Sequence, residues 1–275
     1  MTRLIQILKS IATVTLGLQL GCASDPGSTE NEASAQEAFS RAPHPKPTVV
    51  LVHGAWADAL GWQDVIGRLQ RDGYPVRAIE IPLSSFALDV EATKRALTAA
   101  GEAGPLVVAA HSFGGAVVTQ AAAGNGKVKA LVYINAFVPD QGETLLTLAS
   151  KFPPTPVFEA FVQDSAGSVT IDPKKFQDVF CADLPDRQAA ILAAAQKPLA
   201  MSSFGEALTE AAWKTIPSWY LVGKQDRTIH PDLERFMAQR IHAHTTEIDS
   251  SHVSFISHPN VVVRLIEQAA AATIR

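Results

Sequence analysis

Apolar residues in this chain fall into two alternating patterns, short unbroken runs and stretches in which they return every three or four positions. The runs at residues 47–54, 76–81, 105–110, 127–136, 217–223 and 245–249 predict strands. Between them, Trp62, Val65, Ile66 and Leu69 share one helical face before Asp72-Gly73, residues 91–100 form a helix stopped by Gly101, and Val262, Leu265, Ile266 and Ala269 line a closing helix. Strands alternating with helices predict an α/β fold, with a mostly parallel sheet covered by helices on both faces. The alternation lapses at about residues 139–215. Short segments rich in Leu, Ala and Phe, punctuated by Pro153-Pro154 and Pro185, predict a small helical cap inserted there.

The third strand ends in Ala110-His-Ser112-Phe-Gly-Gly115, where the chain turns from strand to helix at a Ser flanked by small residues. This is the setting of a nucleophile elbow, whose turn is so sharp that the positions two before and two after the Ser must be small. Ala110 departs from the usual Gly by one methyl. The alternative is an ordinary strand-to-helix turn with a capping Ser. A Ser hydroxyl needs a base that is itself oriented by a carboxylate. Asp226 follows the strand at 217–223, and His252 follows the strand at 245–249 in the loop Ser250-Ser-His252. The order Ser, Asp, His is thus complete. His258 is a rival base, although Pro259-Asn260 after it suggest a helix start. Asp140 is a rival acid, although Pro139 and Gly142 mark an ordinary turn. His111 reads as a packing residue.

An oxyanion also needs donors. The N–H of Phe113, at the start of a helix, is one candidate. The N–H of Ala55, in the loop after His53-Gly54, is the second, and Trp56 beside it is a candidate substrate-binding residue. Among the cap aromatics and aliphatics, Leu145, Phe152, Phe158, Phe161, Phe180 and Met201 are candidates for the pocket wall, with burial of the cap as the plainer role for most.

The stretches Leu51-Val-His-Gly-Ala-Trp56, Ala110–Gly115, Asn135-Ala-Phe-Val-Pro-Asp140, Val222-Gly-Lys-Gln-Asp226 and Ser251-His252 through His258-Pro259 resemble those of an α/β-hydrolase, from about Pro47 to Ala271. Within that superfamily the chain is similar to small cofactor-free carboxylesterases related to plant methylesterases and hydroxynitrile lyases. The resemblance implies a serine hydrolase that cleaves a small, uncharged carboxylic ester through an acyl-enzyme, with no cofactor. Hydroxynitrile lyases of this group carry a Lys directly after the catalytic His, where this chain has Val253. Dehalogenases and epoxide hydrolases of the same fold use an Asp nucleophile, where this chain has Ser112. A lyase or C–C bond hydrolase on the same triad, and a ligand-binding receptor with incidental hydrolysis, remain as other readings.

Residues 1–22 read as an export signal. Arg3 and Lys9 precede an apolar stretch from Ile11 to Leu20, which as a helix would span only about 15 Å of a hydrocarbon core of about 30 Å. Leu20-Gly-Cys22 resembles a lipoprotein processing site, which makes Cys22 a candidate lipid anchor, but Gln19 stands where a Leu is expected, so Gly21-Cys22-Ala23 as a plain small-x-small cleavage site is the alternative; the expected location is periplasmic or membrane-tethered. Residues 23–46, rich in Ser, Glu, Ala and Pro, read as a disordered tether to a catalytic domain at 47–275. The formal net charge is −4, and loss of Arg3 and Lys9 would make it −6. That balance argues against a nucleic-acid partner. The Cys and His residues lack metal-site spacing, so neither a metal nor a structural disulfide is expected.

Overall fold

The computed structural model describes residues 46–273. The expected export signal at residues 1–22, with Cys22, and the expected tether up to residue 45 lie outside the described residues. In chain order the elements are β1 (Thr48–Val52), α1 (Gln63–Arg71), β2 (Val76–Ile79), α2 (Phe86–Gly101), β3 (Leu106–His111), α3 (Phe113–Ala121) and β4 (Val128–Ile134). After an insert come β8 (Ser218–Gly223), α7 (Pro231–Arg240), β9 (His244–Ile248), the short α8 (Ser254–Ser257) and α9 (Pro259–Thr273). The insert contributes α4 (Leu145–Ala149), β5 (Phe161–Gln163), β6 (Ser168–Ile171), α5 (Phe176–Phe180), α6 (Asp186–Ala194) and β7 (Leu199–Ala200).

Six strands form one parallel sheet in the order β2-β1-β3-β4-β8-β9. The alternation of strand and helix dictates this, because parallel neighbours need a crossover and a helix is the compact way to make one. All six residues of β3 are buried, which requires cover on both faces of the sheet. That cover is amphipathic helix: α9 buries Val262, Leu265, Ile266 and Ala269 against the sheet, and α1 buries Val65 and Leu69. The helix expected at 91–100 begins earlier, at Phe86. Ser85 caps it by accepting the Leu88 N–H at 3.2 Å, and Phe86 and Val90 add one more buried turn.

The insert holds the expected short helices and also an antiparallel sheet, β5-β6-β7. Its hairpin closes at Gly167, whose φ of 84° is a conformation that residues with a Cβ rarely adopt, while Asp164 Oδ1 accepts the N–H groups of Ala166 and Ser168, each at 2.9 Å. These strands are too short to register as a period in the sequence. The insert is tied to the main sheet's loops by Ala200 N–H, which donates to Leu83 O at 2.8 Å.

That tie depends on Asp89. Leu83 is held at a φ of 61°, and its N–H donates to Asp89 Oδ1 at 2.7 Å. Asp89 is fully buried, and its Oδ2 has no partner among the described residues. Burial pushes its carboxyl up to about 6, whereas in the unfolded chain it titrates near 4. The folded form therefore holds a proton that the unfolded form has released, so this contribution to stability is complete below about pH 4 and falls as pH rises through about 6. Urea unfolding of Asp89→Asn, which keeps the oxygen that accepts from Leu83, should lose this part of the slope and gain on the wild type between pH 4 and 7. Parallel stability profiles for the two proteins would show that Asp89 is already ionised in the fold.

Candidate active site

The site is assembled from the C-terminal ends of the parallel strands, where open α/β sheets bind ligands. At the end of β3 the backbone turns at Ser112, with φ 53° and ψ −126°. Such a conformation is strained by roughly 1–3 kcal/mol and persists only when its surroundings enforce it. Here they do. The Ser112 carbonyl accepts the N–H groups of Gly115 at 2.9 Å and Phe137 at 3.1 Å. A Cβ on Gly114 would lie 2.4 Å from His53 O, and one on Gly115 would lie 2.6 Å from Phe137 O. Ala110 sits in the ladder between Val52 and Tyr133, fully buried, so its methyl is accommodated.

His252, in the loop after β9, brings Nε2 to 2.8 Å from Ser112 Oγ and Nδ1 to 2.6 Å from Asp226 Oδ2. Asp226, in the loop after β8, is oriented through its other oxygen, which accepts the N–H groups of Thr228 at 2.7 Å and Ile229 at 2.9 Å. With Asp226 ionised, Nδ1 carries the imidazole proton and Nε2 is left free to accept from the Ser112 hydroxyl. All three side chains are buried.

The rivals are engaged elsewhere. Asp140 pairs with Lys214 Nζ at 2.5 Å and accepts Gln141 N–H at 2.6 Å. His258 stands at the start of α9, 2.9 Å from Ser257 Oγ and 3.8 Å from Asp183 Oδ2. His111 does more than pack. Its Nε2–H donates to the backbone carbonyl of His252 at 2.9 Å, with the two rings 4.6 Å apart. Burial, then the neighbouring His252, holds its imidazole well below the usual range, so it stays neutral. Asn135, Asp183 and Glu234 also support the site and carry no motif of their own. Asp183 accepts from Ser251 N–H at 3.1 Å and from the Ser251 hydroxyl, which fixes the loop beside His252.

Gly54 brings the loop after β1 against the nucleophile, since a Cβ there would lie 2.7 Å from Ser112 Cβ. His53 steadies that loop. Its Nε2 accepts Ile81 N–H at 3.1 Å, and its Nδ1–H donates to Gly54 O at 2.9 Å. Among the described residues neither the Ala55 nor the Phe113 N–H finds an acceptor, and both residues line the cavity beside Ser112.

That cavity, of about 30 Å³, is walled by Trp56, Phe113, Phe137, Leu145, Val157, Phe158, Phe161 and Phe204. Trp56 is held at a φ of 58°, its indole N–H donates to Val169 O at 2.9 Å, and its ring contacts Phe161, Phe180 and Phe204. Of the six cap residues expected near the pocket, Leu145, Phe158 and Phe161 line it. Phe180 and Phe152 face neighbouring hollows, and Met201 packs half-buried against the core. Asp226, Glu234 and His252 each bring one ligand-type atom within 4.8 Å of the others. Both His252 nitrogens are already committed, to Asp226 and to Ser112.

A model of the alpha/beta hydrolase family matches residues 49–265. The alpha/beta hydrolase nvfD of Aspergillus novofumigatus is 29% identical over 250 residues, covering 83% of this chain and 98% of that protein. A carbendazim hydrolyzing esterase of Nocardioides is 32% identical over 124 residues, 41% of this chain and 51% of that protein. Among solved structures, a pyrethroid hydrolase from Sphingobium faniae superposes with a TM-score of 0.71 at 20% identity, covering 83% of this chain and 98% of that one. From the nucleophile turn, the strand order and these matches together, the chain belongs to the alpha/beta hydrolase family and is an α/β-hydrolase enzyme.

Proposed function

We propose that this enzyme is a serine carboxylesterase acting on small, uncharged esters with an apolar group. One observation carries the reading: the hydrogen-bonded chain from Ser112 through His252 to Asp226 opens into a cavity walled almost wholly by aromatic and aliphatic side chains. The esterase name of the Nocardioides relative supports the same reaction class.

In this mechanism Ser112 Oγ attacks the ester carbonyl carbon while His252 Nε2 takes the hydroxyl proton. Negative charge collects on the former carbonyl oxygen, where the Ala55 and Phe113 N–H groups and the first turn of α3 stabilise it. Collapse breaks the bond to the alkoxy oxygen, which leaves with the proton from His252 as a free alcohol. Water then attacks the acyl-Ser112 in the same way and releases the acid. Asp226 stays ionised, holds the Nδ1–H tautomer and stabilises the imidazolium formed in each half-reaction.

The lyase reading is weaker because Val253 beside His252 is fully buried and apolar, offering no charge to a departing cyanide. The receptor reading is weaker because binding alone does not require the Ser112–His252–Asp226 chain.

Three outcomes follow from this reading. Ser112→Ala should reduce turnover of a short aryl ester to the residue left without a nucleophile, about 10³- to 10⁴-fold over water, with an unchanged melting profile. Asp226→Asn should lower kcat by orders of magnitude through the wrong imidazole tautomer, while Asp140→Asn should cost little; the reverse order would transfer the role to Asp140. With cyanohydrins, colorimetric assay should find no enzyme-dependent cyanide, and release that vanishes in Ser112→Ala would make the protein a lyase.

Trp56 also walls a second hollow of about 220 Å³ that is lined by Phe176, Phe180, Ile191 and Phe255. It therefore partitions the two. Trp56→Ala should join them and raise the kcat/KM ratio for bulky over small esters by about tenfold or more. An unchanged ratio would show that the wall lies elsewhere.

A further inference from the structure

Glu234, on α7, is fully buried, with a carboxyl oxygen within 4.8 Å of a carboxyl oxygen of Asp226. Its Oε2 accepts Gly223 N–H at 3.0 Å. Its Oε1 accepts from Asn135 Nδ2 at 3.3 Å, and the same amide reaches Asp226 Oδ2 at 3.4 Å. Asn135 is itself locked. It holds a φ of 44°, its Oδ1 accepts from Ser254 Oγ at 2.6 Å, and Ser254 Oγ lies 2.5 Å from Ser250 Oγ. Gly223 leaves room for that amide, since a Cβ there would fall 2.3 Å from Asn135 Nδ2. One network thus joins the Glu234 carboxyl, the Asp226 carboxyl and the loop that carries His252.

Two ionised carboxylates cannot share such a place in a buried site without strong repulsion, so one must keep a proton. Asp226 already accepts two backbone N–H groups and the His252 Nδ1–H. Glu234 is pushed well above the usual carboxyl range by burial first, and then by the charge of Asp226 and its hydrogen bond to it. The titratable groups facing it are Asp226, His252 and, from β8, Tyr220, whose buried hydroxyl is pushed up as well. The proton therefore belongs on Glu234.

We propose that Glu234 is a positioning residue: a neutral carboxylic acid whose O–H donates to the Asp226 carboxylate while the same oxygen accepts from Asn135, so that Asp226 is aimed at His252 and bears the only charge of the pair. The choice of residue follows from this double task. A carboxylic hydroxyl donates and accepts at one atom, whereas the NH₂ of a Gln can donate but not accept. The proposal rests on the Ser112–His252–Asp226 reading of the triad.

Infrared spectra at pH 8 test it directly, as wild type minus Glu234→Gln. The expected result is a protonated-carboxyl C=O band in the wild type that the substitution removes; Asp89, pushed up to about 6, is mainly ionised at that pH. In kinetics, Glu234→Met should lower kcat by about 10- to 100-fold, the rate equivalent of one hydrogen bond to a charged group, with KM little changed. Glu234→Gln, which keeps the donor to Asp226, should recover part of that loss. Absence of the band in active wild-type enzyme, or equal kcat for Gln and Met variants, would overturn the proposal. If the Met variant fails to fold, the wild-type band still decides. The triad is judged separately: an active Ser112→Ala would sink the triad and leave the band as it is, whereas a missing band with inactive Ser112→Ala would sink only the role of Glu234.

Discussion

The end of β1 and the first turn of α3 meet with no room for a side chain between them, and the rest of the site depends on that contact. His53 O lies 2.4 Å from where a Cβ of Gly114 would be, and Ser112 Cβ lies 2.7 Å from where a Cβ of Gly54 would be. This closeness forces the backbone of Ser112 into its left-handed turn, points its hydroxyl into the cavity, and brings the Ala55 loop alongside. Strain of that kind survives only when it is overdetermined. Hydrogen bonds to the Ser112 carbonyl from Gly115 and Phe137 supply the remaining constraints.

What surrounds Ser112 is a relay of positions, each set by a different strand end. Ser112 follows β3, Asn135 follows β4, Asp226 follows β8 and His252 follows β9. Adjacent parallel strands end at the same level, so residues far apart in the chain arrive within a few ångströms of one another. His111 and Asp183 hold the His252 loop from two sides, one through the carbonyl of His252 and one through Ser251. The polar parts of the site are thereby fixed by hydrogen bonds, and the apolar parts by packing of the insert.

The alternation of the main sheet, the elbow and the order Ser112, Asp226, His252 were legible because each depends on local sequence: a strand run, a turn and the small residues within it. The supporting network was not. Asn135 and Glu234 are separated by 99 positions, and no spacing rule links them; Asn135 stands in a matching stretch without a visible task, and no motif singles out Glu234. His111 packs as the sequence suggests, but its further hydrogen bond is illegible for a related reason, since the partner is a backbone carbonyl, which leaves no trace in side-chain composition. Asp89 gave no sign either, as its burial is decided by the left-handed Leu83 and the inserted strand β7. In the insert, strands of two to four residues fall below the length at which a period of two can be recognised.

Leu146 and Phe158 wall the active-site cavity and also an outer apolar groove, with 44% and 39% of their surfaces exposed. A greasy substrate can therefore lose its hydration in stages, first against the groove and then between these two side chains, so that dehydration is spread over the approach path and not concentrated at the nucleophile. The traffic is asymmetric. An uncharged ester finds continuous apolar contact on the way in, whereas the carboxylate formed by hydrolysis finds little to solvate it until it reaches open water. For the ester hydrolysis proposed above, the passage that gathers the substrate offers its charged product few polar partners.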